Sequence, residues 1–156
     1  MRRHPNLRSV PRMDDVTRLA EIESIKQLKA RYFRFLDTKD WDGWQQVFTS
    51  DARMDVLEAG DSGRVQGAAA IVDYVRGNLR ELVTCHHGHM PEIEITSPTS
   101  ASGVWAMEDL LRWPPDDDGA VRSLHGWGHY HETYVKLDDG WHIESLKLTR
   151  LRVDVA

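Results

Sequence analysis

Apolar side chains recur at Ile22, Ile25, Leu28, Tyr32, Phe35 and Leu36, three or four residues apart with charges between them. That is the period of a helix burying one face. Asp14 or Asp15 can cap its start, and the pattern runs to about Asp37. Asp40 then reads as the cap of a short second helix whose buried face is Trp41, Trp44, Val47 and Phe48. Arg53 to Leu57 is a short strand candidate, followed by a turn at Asp61-Ser62-Gly63. After Gly67 a third helix is expected to about Leu82, with Ile71, Val75, Leu79 and Leu82 inward. From there the period changes to two. Strands are expected over about 84–96, 101–113, 121–138 and 141–154, with hairpin loops at Pro114–Gly119 and Asp138-Asp139-Gly140. Helices followed by long consecutive hairpins predict an α+β domain whose sheet is mostly antiparallel, with the helices on one face enclosing a single pocket.

Alternation along these strands selects candidate chemistry. On 101–113 one face carries Gly103, Trp105, Met107, Asp109, Leu111 and Trp113. A carboxylate among apolar neighbours needs a partner, because burying it alone costs several kcal/mol. The last strand puts Leu146, Leu148 and Arg150 on one face. Asp109 and Arg150 are therefore the natural pair, whether structural or functional. On 121–138, His125, Trp127, His129 and His131 share a face. Alternating histidines can ligate zinc, but no spaced carboxylate or cysteine completes a set, so no metal is expected.

The segment Thr84-Cys85-His86-His87-Gly88-His89-Met90-Pro91 clusters three histidines. A histidine near a carboxylate such as Asp37 is equipped to move protons. Strict alternation groups His87 and His89 with Ile93 and Ile95, and His86 with Glu92 and Glu94. Parity alone thus favours His87 or His89, unless Pro91 interrupts the ladder and a bulge resets it. Tyr32 and Asp37 are five residues apart, about 140° around an ideal helix, so both reach one cavity only near the helix end.

Composition narrows the classes. The 156 residues suffice for one domain with its own core. A net charge of −5 argues against a nucleic-acid partner. The single cysteine, Cys85, leaves no internal disulfide and fits a reducing, cytoplasmic setting. No stretch is long and apolar enough to span a bilayer. Residues 1–13 hold Arg2, Arg3, Arg8 and Arg12 without an acid, and read as a basic flexible tail ahead of a domain over 14–156. Six tryptophans suit an apolar ligand pocket or a subunit interface, and a homo-oligomer, dimer or trimer, is expected.

The run IESIKQLKARYFRFLDTKDWD at 22–42 resembles the opening of SnoaL-like proteins of the nuclear transport factor two superfamily. The order continues through CHHGHMPEIEI at 85–95, GVWAMED at 103–109, YVKLDDGWHI at 134–143 and Arg150. The resemblance covers about residues 18–152, runs nearest to the bile-acid 7α-dehydratases and reaches scytalone dehydratases more distantly. It implies a cone-like domain of three or four helices on a strongly curved sheet. It implies a cofactor-independent hydro-lyase acting on a small apolar hydroxylated carbonyl compound, steroid-like or polycyclic. It carries catalytic roles onto Tyr32, Asp37, His86, Asp109 and Arg150, and so selects His86 and requires a bulge. His87, His89, Trp105, Met107, Trp127 and His129 are expected to line the pocket. Isomerase, cyclase or epoxide-hydrolase chemistry on the same fold stays open, as does a non-catalytic ligand-binding module or an oxygenase small subunit.

Overall fold

The computed structural model of the chain describes residues 13–56 and 63–156. Helix α1 (Asp15–Thr38) begins where Asp14 accepts a hydrogen bond from the Thr17 backbone N–H at 3.0 Å. That carboxylate satisfies one of the free N–H groups of the first turn. The helix buries Ile25, Leu28, Lys29, Tyr32 and Leu36. It ends at Lys39, which adopts the left-handed conformation (φ 61°) and donates its N–H to the Leu36 carbonyl. The chain turns at once into α2 (Trp41–Gln45), capped by Asp40 through the Gly43 N–H. Helix α3 (Ala68–Leu79) follows Gly67 and stops three residues short of the expected Leu82, which is nonetheless buried.

Among the described residues, six strands form one curled, open sheet: β1 (Phe48–Val56), β2 (Arg64–Gln66), β3 (Val83–Ser97), β4 (Ser100–Arg112), β5 (Ser123–Leu137) and β6 (Gly140–Val155). The spatial order is β2-β1-β6-β5-β4-β3, antiparallel throughout except where β1 runs parallel to β6. The four long strands fall close to their expected spans. β1 starts five residues earlier than expected, and β2 was not foreseen. Of the expected turn at Asp61-Ser62-Gly63, the first two residues lie outside the described range, as do residues 1–12 of the expected tail.

The core lies between the helices and the concave face of the sheet. It gathers α1's buried stripe with Trp44, Val47, Phe48, Met54, Ile71, Val72, Trp105, Met107, Tyr130, Tyr134, Trp141, Ile143, Leu146 and Leu148. Two irregularities decide which side chains reach it. The β3–β4 register shifts between Gly88 and Pro91, so His86 and Gly88 lie on the same face as Pro91, Ile93 and Ile95. The β5–β6 register shifts between Thr133 and Tyr134, which takes β6 from Trp141 and Ile143 inward to Leu146 and Leu148 inward. A one-residue bulge exchanges the two faces of everything beyond it. Among the described residues, no helix is long and apolar enough to cross a membrane.

Candidate active site

A cavity of about 170 Å³ lies between α1, α3 and the concave face of the sheet. Most of its wall is apolar: Leu36, Trp44, Met54, Val56, Val75, Leu79, Leu111, Leu146 and Leu148. The polar lining side chains are Tyr32, Tyr74, Asn78, His86, Asp109, Tyr130 and Arg150. In so apolar a space each polar group acts in a weakened dielectric and is worth more than in water.

His86 comes from β3 and Asp37 from the last turn of α1. The His86 ring Nδ1 lies 2.6 Å from Asp37 Oδ1, and the His86 backbone N–H donates to Oδ2 at 2.9 Å. Thr84 Oγ donates to Oδ1 at 2.8 Å and itself accepts from Lys39 Nζ at 2.7 Å. Burial opposes ionisation of Asp37. The bonds from the His86 ring, the His86 backbone and Thr84 outweigh it and hold the carboxyl below its ordinary value. An ionised Asp37 fixes the proton of His86 on Nδ1 and leaves Nε2 as the acceptor available to the cavity. Asp37 does not itself line the cavity; it stands behind His86. This resolves the 140° separation from Tyr32, because only the tyrosine reaches the cavity directly.

Arg150 clamps Asp109 with two bonds, Nη1–Oδ1 at 2.7 Å and Nη2–Oδ2 at 2.6 Å, and Nη1 also approaches Met107 Sδ at 3.6 Å. Both side chains are largely buried, at 14% and 5% exposure. The pair sits opposite Gly126 of β5, where a Cβ would collide with both the carboxylate and the guanidinium. Glycine there is a requirement of space rather than of backbone angle.

Tyr32 and Tyr130 close the inner end. Their rings meet edge to face with centroids 6.1 Å apart. Burial pushes both phenols up, so both stay protonated donors at any ordinary pH.

The structure thus brings together all five residues carried over from the family resemblance. It does not bring together the expected pocket lining. His87, His89, Trp127 and His129 are on the convex face, and they are corrected as pocket residues. The same bulge that turns His86 inward leaves His87 and His89 outward beside Glu108, at 3.7 and 3.4 Å. His125 joins Glu108 at 2.9 Å and stacks on Trp127 at 3.8 Å. Trp105 and Met107 do face inward, but not into the cavity. Trp105 Nε1 donates to the Tyr134 hydroxyl at 2.8 Å, and Met107 packs beside Arg150. Among the described residues no group of three or more His, Cys, Asp or Glu is placed to hold a metal ion.

Sequence reasoning missed Thr84, Lys39 and Tyr130. The signal for Tyr130 was available, since it lies on the face of β5 opposite the histidines, between Gly128 and Glu132. Thr84 is two residues before His86, the spacing that puts two strand side chains on one face.

A SnoaL-like domain model matches residues 17–147. The chain belongs to the SnoaL-like family. The probable cyclase FGR4 of Gibberella zeae is 27% identical over 135 residues, covering 81% of this chain and 89% of that protein. The fold is shared with a type 2 hexachlorocyclohexane dehydrochlorinase (TM-score 0.78, 19% identity, 92% of this chain and 93% of that one). It is shared equally with a scytalone dehydratase-like protein of Novosphingobium aromaticivorans (TM-score 0.77, 21% identity, 90% and 91%). Relatives of this kind support a small-molecule-converting enzyme on this fold.

Proposed function

We propose that this SnoaL-like protein is a cofactor-independent hydro-lyase that removes water from a hydroxylated carbonyl compound. The observation that carries this reading is the Asp37–His86 dyad set into an apolar wall, with its Nε2 left for the cavity. In this scheme Nε2 takes a proton from the carbon next to, or conjugated with, the carbonyl. The electrons of that C–H bond move onto the carbonyl oxygen, giving an enolate. Tyr32 donates a hydrogen bond to that oxygen as its charge develops. Asp37 stabilises the imidazolium without taking its proton. The enolate then collapses, the carbon–hydroxyl bond breaks, and the imidazolium protonates the departing oxygen to release water. Asp109 and Arg150 form the wall on which a second substrate oxygen can rest.

General acid–base help supplies on the order of 10² to 10⁴ in rate, so positioning and oxyanion stabilisation supply the remainder. The enclosed volume suits the reacting ring of the substrate. The further rings of a steroid-like or polycyclic compound would project past Tyr74 and Asn78. The bile-acid dehydratase resemblance supports that substrate class.

A cyclisation is the second reading, supported by the relative named as a cyclase. The same proton abstraction would start it, but its product keeps the substrate's mass. The test is a screen of hydroxylated 3-oxo steroids and small β-hydroxy ketones by mass spectrometry. Loss of one water with a new conjugated chromophore is the expected result. Turnover with unchanged mass would replace the hydro-lyase reading with cyclase or isomerase chemistry.

A further inference from the structure

Behind the two cavity tyrosines lies an ion pair that the proposed reaction does not use. Lys29 is 0% exposed and Glu132 3%, and they meet at 2.5 Å. Lysine and glutamate are almost never buried so completely unless they are paired, as these two are. Replacing such a pair by apolar residues of similar size is often neutral or stabilising, so stability alone does not account for it. Its orientation is informative. Lys29 Nζ lies 3.7 Å from the ring centroid of Tyr32 and 4.0 Å from that of Tyr130. The carboxylate of Glu132 is taken up elsewhere: besides Lys29 it accepts the hydroxyl hydrogen of Tyr134, which in turn accepts from Trp105 Nε1. None of Lys29, Glu132, Tyr134 and Trp105 lines the cavity. The positive end of the pair is thus pressed on the two phenols that face the cavity, and the negative end is tied into the core behind them.

We propose that Lys29 and Glu132 are positioning residues that polarise the Tyr32–Tyr130 phenol pair, making the inner end of the cavity a two-donor receptor for a small oxyanion of the enolate or phenolate class. A cation against a ring face attracts its π electrons and favours added negative charge on the phenol oxygen. Both phenols stay protonated, so what the cation changes is donor strength. Glu132 acts on both phenols in the opposite sense, as do Asp37 on Tyr32 and Asp109 on Tyr130, while Arg150 assists at Tyr130; the two aspartates are each held by donors of their own. Asp109 is clamped by Arg150, and Asp37 is bound by His86 and Thr84. The inference rests on the reading of Tyr32 as the oxyanion donor in the proposed function, with Tyr130 added as a second donor.

The probe is 4-nitrophenol, whose neutral and ionised forms absorb at different wavelengths. Its affinity is measured across its own ionisation range, without turnover. The wild type is expected to bind the anion at least tenfold more tightly than the neutral phenol. Tyr32→Phe should reduce that preference. The double variant Lys29→Met with Glu132→Gln, which strands no charge, should lose it by at least tenfold while near-UV circular dichroism stays that of the wild type. Glu132→Gln alone favours the neutral amine of Lys29 and should lose it in the same way. Lys29→Arg, which keeps the charge, should retain it. A folded double variant with undiminished preference, or a wild type with none, would overturn the inference. A protein that prefers the anion yet dehydrates nothing would overturn the proposed reaction and leave this inference standing.

Discussion

Two histidine–carboxylate pairs sit on opposite faces of one sheet. On the concave face His86 meets Asp37 at 2.6 Å; on the convex face His125 meets Glu108 at 2.9 Å, with His87 and His89 close by. In both pairs a hydrogen bond from the imidazole holds the carboxyl below its ordinary value, although at Asp37 burial opposes the shift more strongly. The surroundings differ. His86 is buried, and its carboxylate is fixed by two further donors. The convex-face histidines are open to solvent, and Glu108 is shared among three of them. Side-chain identity therefore does not make the difference. What does is an apolar wall, a single defined geometry and a position on the lining of a cavity.

The comparison is broken most forcefully by stranding a charge on the concave face. Arg150→Ala leaves Asp109 buried without its clamp and should cost about 3–5 kcal/mol in denaturant unfolding. A loss below about 1 kcal/mol would mean that water reaches the pair. Next in size is Asp37→Asn, which keeps the shape of the side chain and removes its charge. With a substrate in hand, turnover should fall by two or more powers of ten, roughly 3 kcal/mol in barrier, with little change in ligand binding. The double variant with His86→Ala should be little worse than the poorer single variant, because the two act as a unit. Independent, multiplying losses in steady-state kinetics would separate them.

A smaller effect concerns acid. Asp37 binds protons less readily folded than unfolded, so its contribution to stability is complete above the ordinary carboxylate value of 3.8 and is lost as pH falls through the lower folded value. Unfolding free energies measured from pH 6 to pH 3 should therefore decline less steeply in Asp37→Asn than in the wild type. Parallel curves would mean that the hydrogen bonds around Asp37 do not survive in solution.

Much of this was legible in the chain because it depends on local period. The α1 stripe and the four long strands follow from spacing and the Asp40 cap from residue type, while the cap of α1 was narrowed only to Asp14 or Asp15, of which the structure uses Asp14. The Asp109–Arg150 pair follows from strand parity, since Asp109 is the lone charge on its strand face and Arg150 continues the face of Leu146 and Leu148. The histidine was not legible that way. Pro91 signals a break in the ladder, but whether the extra residue falls before or after Gly88 depends on what packs there, and that choice decides whether His86 or His87 faces inward. Lys29 reads as one more solvated charge between apolar positions. Its burial depends on Glu132, 103 residues away, and on three aromatic rings gathered by the closed fold. β2 has three residues and no alternation to detect, and it exists only because β1 offers it an edge. The expected pocket lining failed for separate reasons: the bulge before Pro91 turns His87 and His89 outward, Trp127 and His129 lie on the convex face of β5, and Trp105 and Met107 face the core beside the cavity.

The central claim is that the concave-face histidine is the base, so the most direct measurement is a paired turnover assay of His86→Ala and His87→Ala on a substrate found by the screen. The account predicts a loss of at least two powers of ten for His86→Ala and near wild-type turnover for His87→Ala. Both variants should give the same folded circular dichroism spectrum as the wild type. Turnover abolished by His87→Ala and preserved in His86→Ala would contradict it, and would move the chemistry to the convex face.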